Sequence, residues 1–167
     1  MDYHVVMARR FPFPDFVDEY AARSVATGVV LGGVLVLTLK AYWILPLLAY
    51  GFVARVIAGP AFSPLARLAT QVVVPALGGA RRPTPGPPKR FAQGIGATLT
   101  VAASLAHFAF GASGVALVLT AMLVVAATLE AALGFCLGCW VFGRLMKLGV
   151  IPDDVCEACN DLSLRLR

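Results

Sequence analysis

From Phe91 to Leu129 the chain carries no Asp, Glu, Lys or Arg, and His107 is the one ionisable side chain in that stretch. So long an uncharged run cannot be solvated on a protein surface, whereas a bilayer core takes one helix for every ~20 such residues. The uncharged turn FGASG at 110–114 divides the run into two expected spans, about 91–110 and 115–137. Composition agrees, because 59% of the 167 residues are hydrophobic and 14% charged, where a soluble domain carries about 25% charged residues. A single membrane domain over 1–167 follows, with the lipid bilayer as its main solvent.

The first half of the chain divides in the same way. Ser24–Leu39 and Ala41–Ala54 are uncharged, with Lys40 between them. Together they are too long for one straight span, so two are expected at about 20–39 and 42–58. A long tilted single span is the rival. Lys40 snorkels, while Tyr42 and Trp43 suit the interfacial belt. Pro46 is expected to kink the second helix. The lead-in MDYHVVMARRFPFPDF lacks a continuous apolar core, so it does not read as a signal peptide. Its Phe11 and Phe13 read as anchors at the headgroup level. A helix is expected to start from Asp15, with its acids in the first turn.

Between 55 and 90 lie Arg55, Arg67, Arg81, Arg82, Lys89 and Arg90 with no acid among them. Ser63-Pro64 is a helix start, and the apolar spacing of Leu65, Leu68, Ala69, Val72 and Val73 predicts a short interfacial helix over about 63–74, ended by Pro75. GGARRPTPGPPKR then reads as an extended basic linker. Attraction to anionic headgroups explains these charges better than nucleic acid, for which there is no aromatic interleaving. The N-terminal segment, this loop and the C-terminal tail hold nearly all the Lys and Arg, so the positive-inside rule puts all three on the cytoplasmic side. His107, without a second histidine at ligand spacing, reads as an interfacial or hydrogen-bonded residue.

All four cysteines fall in 130–160, as Cys136/Cys139 and Cys156/Cys159. The fourth helix is expected to continue to about Leu148, which puts Cys136 and Cys139 on one helix face. Gly149 ends it, and Ile151-Pro152-Asp153 starts a short helix running back, so that 138–167 forms a cysteine-bearing hairpin. This C-x2-C-x16-C-x2-C spacing lies in the range of four-cysteine zinc sites. An iron–sulfur cluster has the same thiolate requirement. The pairs equally have thiol–disulfide exchange spacing. On that reading Cys156, in the first turn of the tail helix, is the more reactive member. Cys136, deeper and beside Phe135 and Trp140, is expected to have a raised pKa unless a metal or cation intervenes. The plain alternative is packed, reduced cysteines.

Glu130 is the sole acid at membrane depth, where an ionisable group defaults to a functional role such as proton carriage. Its structural alternative is a protonated carboxyl bonded to Gln93 or Thr100. On one continuous helix, about 240° of rotation separates Glu130 from Cys136, so they would not share a face.

GPAFSPLARLA at 59–69, GPPKRFAQGIG at 86–96, GFCLGC at 134–139 and CEACND at 156–161 resemble an uncharacterised family of small bacterial membrane proteins, common in actinobacteria. That resemblance implies an inner-membrane location. It also implies thiol or sulfur handling with thioredoxin-like or rhodanese-type sulfurtransferase partners.

The sequence thus predicts an all-α polytopic bundle of four transmembrane helices, with an interfacial helix and a C-terminal helical hairpin. Its expected function is thiol redox or sulfur transfer through Cys136, Cys139, Cys156 and Cys159. The alternative is a non-catalytic protein in which the same four cysteines bind zinc, serving partner docking or small-solute passage. No phosphate loop, Ser-His-Asp set or carboxylate pair points to hydrolase or kinase chemistry.

Overall fold

A computed structural model describes residues 16–76 and 82–156. Its elements are β1 (Phe16–Asp18), α1 (Glu19–Leu39), α2 (Ile44–Ala58), α3, β2 (Pro83–Pro85), α4 (Gly86–Phe108), α5 (Ser113–Leu133) and α6 (Leu137–Lys147). The surface segment α3 runs from Pro64–Leu68 through a π-helical turn, Ala69–Val73, into Val74–Ala76. The chain is mostly helical, with one addition to the expected all-α plan: β1 and β2 pair antiparallel, Val17 facing Thr84.

The main helices begin and end for local reasons. Asp18 caps α1 by accepting from the Tyr20 N–H at 2.8 Å, which satisfies one of the orphan donors of the first turn. The helix therefore starts a turn later than Asp15. Lys40 closes α1 in the left-handed conformation, φ 56°, and the chain turns into α2. Pro46 does not kink α2. It falls in the first turn of that helix, where no intrahelical N–H bond is made in any case. The expected extended linker is extended only at β2. Gly86 already begins α4, and the prolines that follow occupy its first positions, where a fixed φ and a missing N–H cost nothing.

Helix α1 packs on α5, α5 on α4, and α4 on α2. Val29, Val36, Leu45, Leu48, Ala103, Ala116 and Leu123 form the core between them. Small residues let the helices approach. A Cβ on Gly33 would stand 2.3 Å from the Val124 side chain, and one on Gly96 would stand 2.3 Å from the Phe52 ring. The face that α3 buries is not the expected Leu68/Val72 stripe, since both are exposed. Instead Ala66, Ala69 and Val74 pack against Ala21 and Val25 of α1. The π turn rotates the following residues, which an ideal 3.6-residue wheel does not anticipate. The helix also runs on through Pro75. Among the described residues two helices, α1 and α5, are long and apolar enough to cross a membrane, and α2 is apolar but shorter.

Candidate functional site

The helix expected to run on to Leu148 does not do so. It stops at Leu133, where Gly134 takes a left-handed φ of 67° and its N–H bonds back to the Leu129 and Glu130 carbonyls. Such a cap favours glycine, because an L side chain there meets the following carbonyl. Arg23 reaches across from α1 and donates to the carbonyls of Ala131 at 3.1 Å and Ala132 at 2.9 Å, supplying a cation where the helix dipole is negative. After Phe135 the chain restarts as α6, which lies against α4 rather than extending α5.

The restart changes the chemistry of the first cysteine pair. Cys136 is not a mid-helix residue but the N-cap of α6, and its sulfur accepts from the Cys139 N–H at 3.4 Å. Hydrogen bonding from Cys139 holds the Cys136 thiol below its ordinary pKa, and the nearby Lys89 cation acts in the same direction. The opposing effects of burial and of Glu130 are outweighed. Cys139, donating to Cys136 and buried beside it, is pushed up. The cation that could offset the burial of Cys136 is present in Lys89, and Cys136 is the more readily ionised of the pair. Gly138, between the two, sits where a Cβ would lie 2.6 Å from the Ala92 Cα, so only glycine lets α6 dock this closely on α4.

Behind the thiols lies a half-open cavity of about 150 Å³ among α1, α2, α4, α5 and the start of α6. Its polar lining is Arg55, Lys89, Gln93, Glu130 and Cys136. The break at Gly134 turns the chain, so Glu130 and Cys136 face one cavity instead of opposite sides of a helix. Lys89 pairs with Glu130. Neither Gln93 nor Thr100 does so: Gln93 accepts from Arg55 Nε at 2.7 Å, and Thr100 bonds back to the Gly96 carbonyl of its own helix. Arg55 also donates to Ser63 Oγ at 3.0 Å and lies over the Phe52 ring.

Arg55 and Lys89 were expected among the surface charges of a basic loop. They are instead 2% and 6% exposed. For Lys89 the signal that would have found it is the spacing Lys89, Gln93, Gly96, Thr100, one face of a helix that begins at the prolines. Arg82, by contrast, is an exposed charge near Glu19, at 3.8 Å.

Cys156 is not gathered with the first pair. Cys156 ends a 3-10 turn, Asp153–Cys156, and is buried against Phe142 and Met146 of α6. It is disulfide-bonded, whereas Cys136 and Cys139 are free thiols. Cys159 and the rest of the expected hairpin lie outside the described residues. Among the described residues, no three His, Cys, Asp or Glu side chains cluster as a metal site requires. His107, at the other end of the bundle, hydrogen-bonds Ser113 Oγ at 3.0 Å and stacks on Tyr42.

The fold and site together define a helical-bundle protein with a free CxxC pair at a helix start, facing a cavity of buried charge. The chain belongs to the DUF4395 family, described as a domain of unknown function, whose family model matches residues 17–147. That range includes Arg55, Lys89, Glu130, Cys136 and Cys139, and it ends before Cys156. No curated protein and no solved structure matches the chain.

Proposed function

We propose that this is a four-span membrane protein of thiol-redox metabolism, in which Cys136 is the nucleophile and Cys139 the resolving thiol. The observation that carries the reading is Cys136 at the N-cap of α6, ionised more readily than its neighbour Cys139. A thiolate there attacks a partner disulfide and forms a mixed disulfide, expelling one partner thiolate. Cys139 then gives its proton to that leaving thiolate and attacks Cys136 Sγ. A Cys136–Cys139 disulfide remains, and the partner leaves with one thiol and one thiolate, the latter taking from water the proton that Cys136 lost on ionising. Run in reverse, the same steps oxidise a partner. Glu130 serves by holding Lys89 next to the thiols rather than by carrying the proton itself.

Apolar side chains pointing outward support the membrane setting, among them Leu31, Leu35, Leu47, Leu105, Val118 and Val125. Lipid is the solvent that suits them. In that setting α1, α2, α4 and α5 are the spans. The end bearing α3 and α6 is cytoplasmic by its positive charge, and the partner is a thioredoxin-like or rhodanese-type protein of that compartment.

The test is a redox titration of anaerobically purified full-length protein, with metal content and free thiols counted in the same sample. Reversible conversion of Cys136/Cys139 between dithiol and disulfide, and a mixed disulfide trapped by Cys139→Ser but not Cys136→Ser, is the expected result. One zinc per chain, with all four cysteines shielded until it is removed, would overturn this reading in favour of a metal site.

A further inference from the structure

We propose that the cavity beside Cys136 is an anion-binding site, taking one small, weakly hydrated monoanion against Arg55. The inference rests on charge and space alone, and it stands whether or not the thiols are redox-active.

Two cations and one carboxylate line the cavity. Lys89 pairs directly with Glu130, and the single carboxylate is shared between the two cations, so one positive charge is left over. Arg55 hydrogen-bonds only neutral acceptors, Gln93 Oε1 and Ser63 Oγ, and lies over the Phe52 ring. A further acid, Asp18, lines an adjoining cavity together with Arg55 and Lys89. Its carboxylate is engaged in capping α1 through the Tyr20 N–H. A guanidinium held 2% exposed, sharing one carboxylate with a second cation, leaves a net positive charge at low dielectric, which favours any counter-ion that can reach it.

The geometry leaves it reachable. Nε and Nη1 donate to Gln93 and Ser63, and a guanidinium has five N–H donors. No buried side-chain nitrogen among the described residues is left without a partner, so the uncommitted N–H groups of Arg55, which lines the cavity, are accessible rather than sealed off. That space, about 150 Å³, is several times what one water needs. Its other walls are Val25, Phe52, Leu99 and Leu123. Such walls offer no replacement for a tight hydration shell. They therefore select polarisable anions that shed water readily, of the thiocyanate or thiolate type, over fluoride, phosphate or sulfate.

The Cys136 sulfur lines the same cavity, so its thiolate and a bound anion would put two negative charges in one small space. Ligand and thiolate therefore oppose each other. The anion binds more tightly when Cys136 is protonated, alkylated or in a disulfide, and its presence raises the pH at which Cys136 ionises.

The test uses full-length protein in lipid nanodiscs, with potassium thiocyanate as probe and potassium fluoride at equal ionic strength as control. The rate of Cys136 alkylation by neutral iodoacetamide is followed by mass spectrometry. Thiocyanate is expected to slow alkylation several-fold and saturably, with fluoride leaving it unchanged, and Arg55→Gln is expected to abolish the slowing. Equal effects of both salts, no saturation, or an undiminished effect in Arg55→Gln would overturn the site. Should Arg55→Gln not fold, the thiocyanate C≡N stretch on the wild-type protein decides. One saturable bound population per chain, tighter after Cys136 is alkylated, supports the site; a signal that only scales with lipid overturns it.

Discussion

The two ends of the bundle are built from the same four apolar helices, yet they solve the helix-end problem differently. At the end holding Lys40 and His107, the groups are satisfied locally. Lys40 Nζ donates to the Leu37 carbonyl, and His107 bonds Ser113 six residues on and stacks on Tyr42. At the opposite end the bonds run between distant segments: Arg55 to Gln93, Lys89 to Glu130, Arg23 to Ala131 and Ala132. A local bond makes a turn. A long-range bond between buried charges makes a cavity whose members depend on one another, and that end also receives the thiol pair.

The sharpest way to break this contrast is to remove one buried partner. Lys89→Met leaves Glu130 as an unpaired carboxylate, and a loss of about 3–5 kcal/mol is expected, read by denaturant unfolding in detergent. Lys89→Met combined with Glu130→Leu should recover most of it. A mild effect of the single change would mean the cavity is wet enough to solvate the acid. Next in size is Gly138→Val, whose side chain meets the Ala92 backbone. A cost of about 1–3 kcal/mol is expected, with faster alkylation of Cys139 as α6 lifts from α4. Gly134→Ala should cost roughly 1–2 kcal/mol, the price of a left-handed residue with a side chain.

The pH dependence of alkylation sharpens the chemical side of the comparison. Only the thiolate reacts. With the Cys136 pKa lowered and that of Cys139 raised, Cys136 alkylation should rise and level off below the ordinary thiol range near pH 8.5, while Cys139 stays slow across it. In Lys89→Met the Cys136 profile should move to higher pH, because a cation is lost and Glu130 is left unopposed. An unmoved profile would show that Lys89 does not act on the thiol. The smallest effect belongs to the other end. His107→Phe keeps the stacking surface on Tyr42 and removes one hydrogen bond, so a change within about 1 kcal/mol is expected, with Cys136 reactivity unaltered.

What the residues by themselves determined is the part governed by composition and short spacing. The absence of charge between Phe91 and Leu129 and the turn at Lys40 dictate apolar helices, because an unsolvated backbone must satisfy itself within the helix. The grouping of cysteines as CxxC was equally plain. What tertiary structure decided is where those helices stop and what their ends meet. Gly134 read as one small residue in an apolar run, and only packing of α6 against α4 through Gly138 makes it a break. With the break, Cys136 becomes a helix cap and shares a cavity with Glu130. Arg55 and Lys89, 34 residues apart, read as surface charge because a sequence shows the sign of a side chain but not its solvent. Burial depends on which faces α2, α4 and α5 turn toward each other, and that is a property of the assembled bundle.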